Sequence, residues 1–216
     1  KIPEEVQTKI FVVDGGSKDR TLEIVDEFCR QNESIHLLNN KKRIQSSGLN
    51  LVIESSKSDY IMRLDAHSIY NETYLSDCFY TIESTGADNV GGVIKTLPGS
   101  SSYGAQAVQA MTSHPFGVGN SNFRIGAKEG YVDTVPFGFF KRRVFEEVGL
   151  FDERLLRAQD YELNCRIVRL GGKIWLNPSI CTEYFNQPSL IKFFSKIFFL
   201  EAPYNAYMWS FSPYTF

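Results

Sequence analysis

Short apolar runs alternate with stretches of helical spacing along the first part of the chain, and that alternation limits what it can fold into. Ile10 to Val13 is apolar and ends in Asp14-Gly15-Gly16-Ser17, which reads as a buried strand emptying into a turn. Thr21 to Arg30 then places Leu22, Ile24, Val25 and Phe28 at helical spacing, with Ser17 or Asp19 in position to cap the start. The same pair recurs as Ile35 to Leu38 (strand) with Ile44 to Ser55 (helix), and as Tyr60 to Leu64 (strand) with Tyr74 to Ser84 (helix). Such a pattern predicts an α/β fold: a mostly parallel central sheet of Rossmann-like type with helices on both faces. After Asn89 come a Gly-Gly strand (Val90 to Leu97), a Gly- and Ser-rich loop (Pro98 to Gly104) and a second glycine-rich stretch (Phe116 to Gly130). Val132 to Phe140 reads as extended, Gln159 to Leu170 as helix, and Lys173 to Leu176 as extended again. No internal repeat or linker is visible. A chain of 216 residues is one domain by default, able to bury roughly 70% of its unfolded surface.

Charge and cysteine usage exclude several classes. The net charge is -2 and the longest basic cluster is Lys41-Lys42-Arg43, so nothing draws in a polyanion, and no nucleic acid is expected as a partner. Four cysteines (Cys29, Cys78, Cys165, Cys181) lie far apart without a CxxC pair, which fits buried thiols in a reducing, cytoplasmic compartment. No run reaches the roughly 18 apolar residues of a spanning helix, and the N-terminus lacks the order of a signal peptide, so the chain is expected to be soluble. The tail is the exception. Leu190 to Leu200 (LIKFFSKIFFL), with Tyr204, Tyr207, Trp209, Phe211, Tyr214 and Phe216 after it, gathers aromatics around two lysines. It suits either a packed C-terminal helix or a segment lying on a membrane surface.

In open α/β sheets ligands bind beyond the carboxyl ends of the strands, and two acidic motifs sit at such ends. Asp14 closes the first strand, where Gly15 and Gly16 let a backbone approach a ligand and an acceptor-only carboxylate can accept a hydrogen bond from a base N–H or a ribose hydroxyl. The alternative is a turn whose Asp satisfies its own backbone amides. Asp65 closes the third strand in Asp65-Ala66-His67, where a carboxylate and an imidazole two residues apart can share one ion, Mn²⁺ or Mg²⁺, with phosphate oxygens completing the shell. A capping Asp beside a surface His is the plainer alternative. Gln159-Asp160-Tyr161-Glu162 opens a helix, where the dipole favours a carboxylate that can act as a base if it faces the crevice. Arg43 and Lys42 can neutralise a diphosphate, or can simply be a solvated face. His114 and His36 carry no expected role.

The motifs in order, VVDGGSKDRTLEIV, YIMRLDAHS, GVGNSNFRIG and VDTVPFGFFKRRVFEEVGLFDERLLRAQDYELNCRI, resemble the family 2 glycosyltransferases of GT-A fold, and most of all their bacterial exopolysaccharide branch, including succinoglycan-type enzymes. The resemblance runs over nearly the whole chain. It implies that Asp14 contacts the donor nucleoside, that Asp65 and His67 hold the metal where the family carries Asp-x-Asp, and that Asp160 is the catalytic base in a Gln-Asp pair where the family usually has Glu-Asp. It places Gly91-Gly92 and the Gly117 to Gly126 loop around the donor and acceptor pocket, making Gly92 a donor-binding candidate beside Asp14, Gly16, Arg43 and Asp65. The implied activity is metal-dependent, inverting transfer of a sugar from a nucleotide-sugar donor, a UDP-sugar by preference, to a glycan or lipid-linked glycan. One departure concerns the start: the family's first strand precedes the point where this sequence begins, and its absence is expected to leave unpaired edges and weaken donor binding.

Two other classes compete with this reading. A nucleotidyltransferase making nucleotide sugars would need a basic glycine-rich phosphate loop near the start, which is not seen. A non-catalytic binding module would have no use for Asp160 as a base.

Overall fold

A computed structural model describes residues 2–119, 121–126 and 128–215. Lys1, Asn120 and Ala127 in the second glycine-rich stretch, and Phe216 of the aromatic tail lie outside the described residues. The first half gives β1 (Ile10–Asp14), α1 (Thr21–Gln31), β2 (Ile35–Asn39), α2 (Gln45–Ser55), β3 (Tyr60–Met62), β4 (Ser68–Tyr70) and α3 (Tyr74–Thr85), which is the expected alternation except that β3 stops at Met62 instead of Leu64 and the short β4 was not expected. Then come β5 (Asn89–Leu97), α4 (Tyr103–Thr112), two single turns α5 (Pro115–Val118) and α6 (Asn122–Ile125), β6 (Gly130–Val132), β7 (Phe139–Lys141) and α7 (Arg142–Glu147). The chain continues through α8 (Gln159–Arg169), β8 (Ile174–Phe185), α9 (Leu190–Lys196), a π-helical turn at Ile197–Glu201 and α10 (Ala202–Phe211).

The α/β class holds, but the sheet is mixed rather than mostly parallel. β1 and β2 form a parallel two-stranded ladder of their own. The larger sheet runs β3-β7-β5-β8-β4, with β6 also on β8, and only its β5–β8 pairing is parallel. Hydrophobic period reports which residues face a core, not which way a neighbouring strand runs. The strand–helix–strand inference therefore succeeds for β1-α1-β2 and fails for β3, β4, β6 and β7, whose neighbours come from distant sequence.

Helices do cover both faces. Phe139 and Phe140 are adjacent on β7 and point to opposite sides, as strand geometry requires. Phe139 packs with Tyr74, Cys78, Ile82, Val90 and Ile180 beneath α3. Phe140 packs with Ile53, Phe145, Phe151, Leu163 and Ile167, joining the sheet to α2, α7 and α8. Each fully buried side chain of this size contributes about 1.5–3 kcal/mol relative to exposure. Of the cysteines, all free, only Cys78 is fully buried, and the other three are partly accessible. No helix among the described residues is long and apolar enough to cross a membrane.

Two buried polar contacts fix α2 and α8 in place. Asn50 on α2 donates to the Phe151 carbonyl at 2.9 Å and accepts from the Phe151 amide at 3.0 Å. Asn164, one helical turn after Asp160, accepts from Asn89 at 2.8 Å and donates to Thr134 Oγ1 at 2.9 Å. In a low-dielectric interior such contacts select one docking position, because any other leaves more polar groups unpaired than the Asn89 Oδ1 that lacks a partner here.

Gly92 proves to be a packing residue. It is buried in β5 where the β5–β8 register shifts between Gly91 and Val93, as β8 bulges around Pro178. A Cβ on Gly92 would lie 1.8 Å from the Ile180 carbonyl oxygen, so glycine lets the bulge close, a packing requirement separate from the donor-binding role expected of it. Gly92→Ala should lower stability by about 1–3 kcal/mol or more through overpacking. Gly104→Ala on α4, where the nearest atom would be 3.6 Å away, should be neutral or stabilising. Thermal melting of the two variants checks this, and equal midpoints would contradict it.

Candidate active site

β3 and β4 are the two edges of the larger sheet, yet only Arg63 to His67 connect them. That segment must therefore pass over the ends of the strands between. Its attachments mark the route: the Arg63 amide donates to the Gly138 carbonyl just before β7, the Asp65 amide donates to the Tyr70 hydroxyl at 2.7 Å, and the His67 ring stands edge-on to Tyr184 of β8. The expected Asp-x-His turn thus sits at the sheet end, over the crevice.

At its centre is a side chain that the sequence reading passed over. Arg63 is only 7% exposed, and its guanidinium grips Asp65 with both sides of a fork, Nε to Oδ1 at 2.9 Å and Nη2 to Oδ2 at 3.0 Å. Its remaining nitrogen, Nη1, is buried without a hydrogen bond and lies 3.5 Å from Asp160 Oδ2. Burial acts against the charged guanidinium, but attraction to Asp160 and Asp65 outweighs it and holds the pKa above its ordinary value. One buried cation thus joins the expected metal ligand to the expected base. The signal was present: in an extended segment residues i and i+2 share a face, so Arg63 and Asp65 had to point the same way.

Asp160 is the open carboxylate of the α8 first turn. Its side chain is 38% exposed, whereas Glu162 is 4% exposed and locked to Arg166 at 2.8 Å and to the Ser212 hydroxyl at 3.2 Å. Gln159, buried, donates to Gln45 Oε1 at 2.6 Å, and Gln45 donates to Asp65 Oδ1 at 3.3 Å. The start of α2, the Asp65 turn and the start of α8 therefore form one connected network.

The β1 end is built differently from the expectation. Asp14 is buried and spends its carboxylate on its own turn, accepting from the Gly16 amide at 2.6 Å, the Ser17 amide at 3.1 Å and the Ser17 hydroxyl at 2.5 Å. The Ser17 hydroxyl, followed by the Gly16 amide, lowers its pKa. Ser17 is thereby unavailable to cap α1, and Asp19 closes that turn instead, accepting from the Thr21 amide at 3.1 Å. Asp14 shapes the loop, and what the loop presents is exposed backbone at Gly15 and Gly16 beneath the Arg43 side chain. Gly16 has φ +92°, where a side chain is strained, and a Cβ there would meet Arg43 Nε at 3.2 Å. Lys42 is committed elsewhere, to Glu153. Among the described residues, three non-glycines have left-handed backbone: Arg43 beside the Gly15–Gly16 loop, Phe137 under the Arg63 guanidinium, and Ala158 just before α8. Such conformations cost about 1–3 kcal/mol each and persist where the surroundings impose them.

A second cation overlooked in the sequence is Arg124 on α6. It makes no ion pair among the described residues; burial lowers its pKa, offset in part by Tyr184, Asp160 and Glu201. Of the remaining histidines, His36 stacks against Phe11 across the β1–β2 ladder, and His114 Nδ1 accepts from the Phe116 amide at the start of α5.

Asp65 and His67 offer a divalent ion a hard oxygen and a borderline nitrogen. Among the described residues no group of three His, Cys, Asp or Glu side chains gathers to hold a metal. Both Asp65 oxygens, moreover, are already taken by Arg63. The donor set therefore fits an ion shared with a bound ligand's oxygens, not one held by protein alone.

Residues 5–149 match the family model described as Glycosyl transferase family 2, and the chain belongs to that family. It is 29% identical over 195 residues to the succinoglycan biosynthesis protein ExoA of Rhizobium meliloti, covering 89% of this chain and 58% of that protein. It is 28% identical over 194 residues to a dolichyl N-acetyl-alpha-D-glucosaminyl phosphate 3-beta-D-2,3-diacetamido-2,3-dideoxy-beta-D-glucuronosyltransferase of Methanococcus voltae, covering 86% and 59%. The chain thus spans somewhat under three fifths of the length of these curated relatives. Among solved structures it resembles GalNAc-T7 with UDP, GalNAc and Mn²⁺ (TM-score 0.64, 14% identity, 91% of this chain and 43% of that one). It also resembles the mannosyltransferase PcManGT of Pyrobaculum calidifontis with GDP-Man and Mn²⁺ (TM-score 0.60, 16% identity, 81% and 47%). The fold is that of the GT-A glycosyltransferases.

Proposed function

We propose that this domain is the catalytic core of a metal-dependent, inverting glycosyltransferase that moves a sugar from a nucleoside diphosphate, UDP by preference, to an acceptor hydroxyl in polysaccharide assembly. The observation that carries the proposal is the buried Arg63, which binds Asp65 in a fork and stands 3.5 Å from Asp160, so that the diphosphate end and the base end of one reaction share a single support. The nucleoside lies against the Gly15–Gly16 backbone that Asp14 shapes, with Arg43 beside it. Asp65 and His67 would hold Mn²⁺ or Mg²⁺, which would supply neutralisation of the charge growing on the leaving oxygen. Asp160 takes the proton of the acceptor hydroxyl as that oxygen attacks the anomeric carbon. The bond to the diphosphate breaks on the opposite side, which inverts the centre. A placed base contributes about 10²–10⁴-fold to the rate. Asp160→Asn should therefore remove transfer by about that factor while leaving nucleotide affinity within twofold. Turnover at the parent rate would eliminate Asp160 as the base.

Two properties of the relatives and the tail inform the partners. The Methanococcus voltae relative is named for a dolichyl phosphate-linked sugar, which supports a lipid-linked glycan as the acceptor here. The tail supports a membrane-surface position: Ile191, Phe198 and Phe199 are 83%, 64% and 77% exposed on one continuous helical segment that also carries the exposed Lys192, while Lys196 is paired with Glu201 at 3.5 Å. Basic residues beside exposed aromatics suit the interface of anionic bilayers. Flotation with phosphatidylglycerol vesicles should recover the parent protein, and a Phe198→Ser, Phe199→Ser double variant should stay unbound. Equal flotation of the two, or none by the parent, contradicts the surface role.

A further inference from the structure

Arg63 is placed as a competitor for the position a divalent ion would take. Guanidinium and carboxylate meet in a two-point fork at 2.9 and 3.0 Å, the strongest and most directional form of this pair. The fork uses the carboxylate oxygens that an ion at Asp65 would need. Arg63 cannot simply swing into solvent, because it is 7% exposed, its amide is tied to the Gly138 carbonyl, and Phe137 lies beneath its guanidinium at 5.9 Å. Its spare nitrogen, without a hydrogen bond, already faces Asp160.

We propose that Arg63 acts as a resident counter-cation that keeps Asp65 closed to a free divalent ion, opens it only when a nucleoside diphosphate arrives with the ion, and through the same guanidinium positions Asp160. This rests on the reading of Asp65 as metal ligand and Asp160 as base. A free ion must displace a buried, charge-assisted fork and then sit beside a guanidinium left with Asp160 alone, 3.5 Å away, which is unfavourable on both counts. An ion that arrives with a diphosphate brings compensating negative charge, and its phosphate oxygens give Arg63 a new partner. Metal and nucleotide therefore bind with positive coupling, each raising the other's affinity by the same factor. Arg63 is a positioning residue in this scheme: it touches the carboxylates, not the reacting atoms.

The test measures ion binding, not turnover. Free Mn²⁺ is counted by its paramagnetic resonance signal during titration of the parent, Arg63→Lys and Arg63→Met, with and without UDP. Thermal melting confirms that each variant is folded. Without UDP the two variants should bind Mn²⁺ about tenfold more tightly than the parent, in line with ordinary coupling energies, and UDP should improve their Mn²⁺ affinity far less. Unchanged Mn²⁺ affinity in folded variants overturns the proposal. A second readout uses the parent alone: the nuclear magnetic resonance signal of the Arg63 Nε–H should stay put on addition of Mg²⁺ and move when Mg²⁺ and UDP are added together. Movement with Mg²⁺ alone overturns it as well. Asp65→Ala separates the levels. If that variant binds Mn²⁺ with UDP as well as the parent does, the metal assignment itself fails. If Asp65→Ala loses the ion while the Arg63 variants match the parent, only the role of Arg63 fails.

Discussion

The contact on which the site depends is the fork between the Arg63 guanidinium and the Asp65 carboxylate, buried at the end of the larger sheet with Asp160 at its edge. A buried charge is expensive unless it is paired and hydrogen-bonded, and breaking one side of such a pair typically costs about 3–5 kcal/mol. The surrounding structure is therefore organised to keep both sides present. Gly138 fixes the Arg63 backbone, Tyr70 fixes that of Asp65, and Phe137 takes an unfavourable left-handed conformation while its ring lies beneath the guanidinium.

The rest of the fold sets where Asp160 stands relative to that fork. Helix α8 is pinned by the buried Asn164 to Asn89 of β5 and to Thr134, and its first turn is tied through Gln159 and Gln45 to Asp65. Glu162, two residues beyond Asp160, turns inward to Arg166 and the tail, leaving Asp160 the acidic side chain of that turn facing outward. The aromatic cores on both faces of β7 supply the stability that such a polar, strained end requires.

Much of this was legible in sequence, for identifiable reasons. Period and turn chemistry give β1, α1, β2, α2, α3 and α8 almost to the residue, because each carries a local pattern that packing does not override. Asp14, Asp65 and Asp160 could be singled out because strand ends and helix starts are where open α/β sheets bind ligands. Strand direction was hidden, since β7 reaches β3 and β5 through pairings that no local pattern encodes. Helix α4 was hidden behind a glycine- and serine-rich approach, and the length of β8 behind Pro178, which reads as a strand end and serves as a bulge. Lys42 looked free because its partner Glu153 is far along the chain. Arg63 is inconspicuous as a single charge in the sequence, because its role lies in sharing a face with Asp65.

If the sheet end holds a nucleoside diphosphate through an ion shared with Asp65, titration calorimetry of UDP against the chain, with Mn²⁺ present and absent and with GDP and CDP in parallel, should show it. UDP binding should require Mn²⁺ and exceed that of the other two nucleotides. Binding that ignores the metal, or no binding of any of the three, would contradict it.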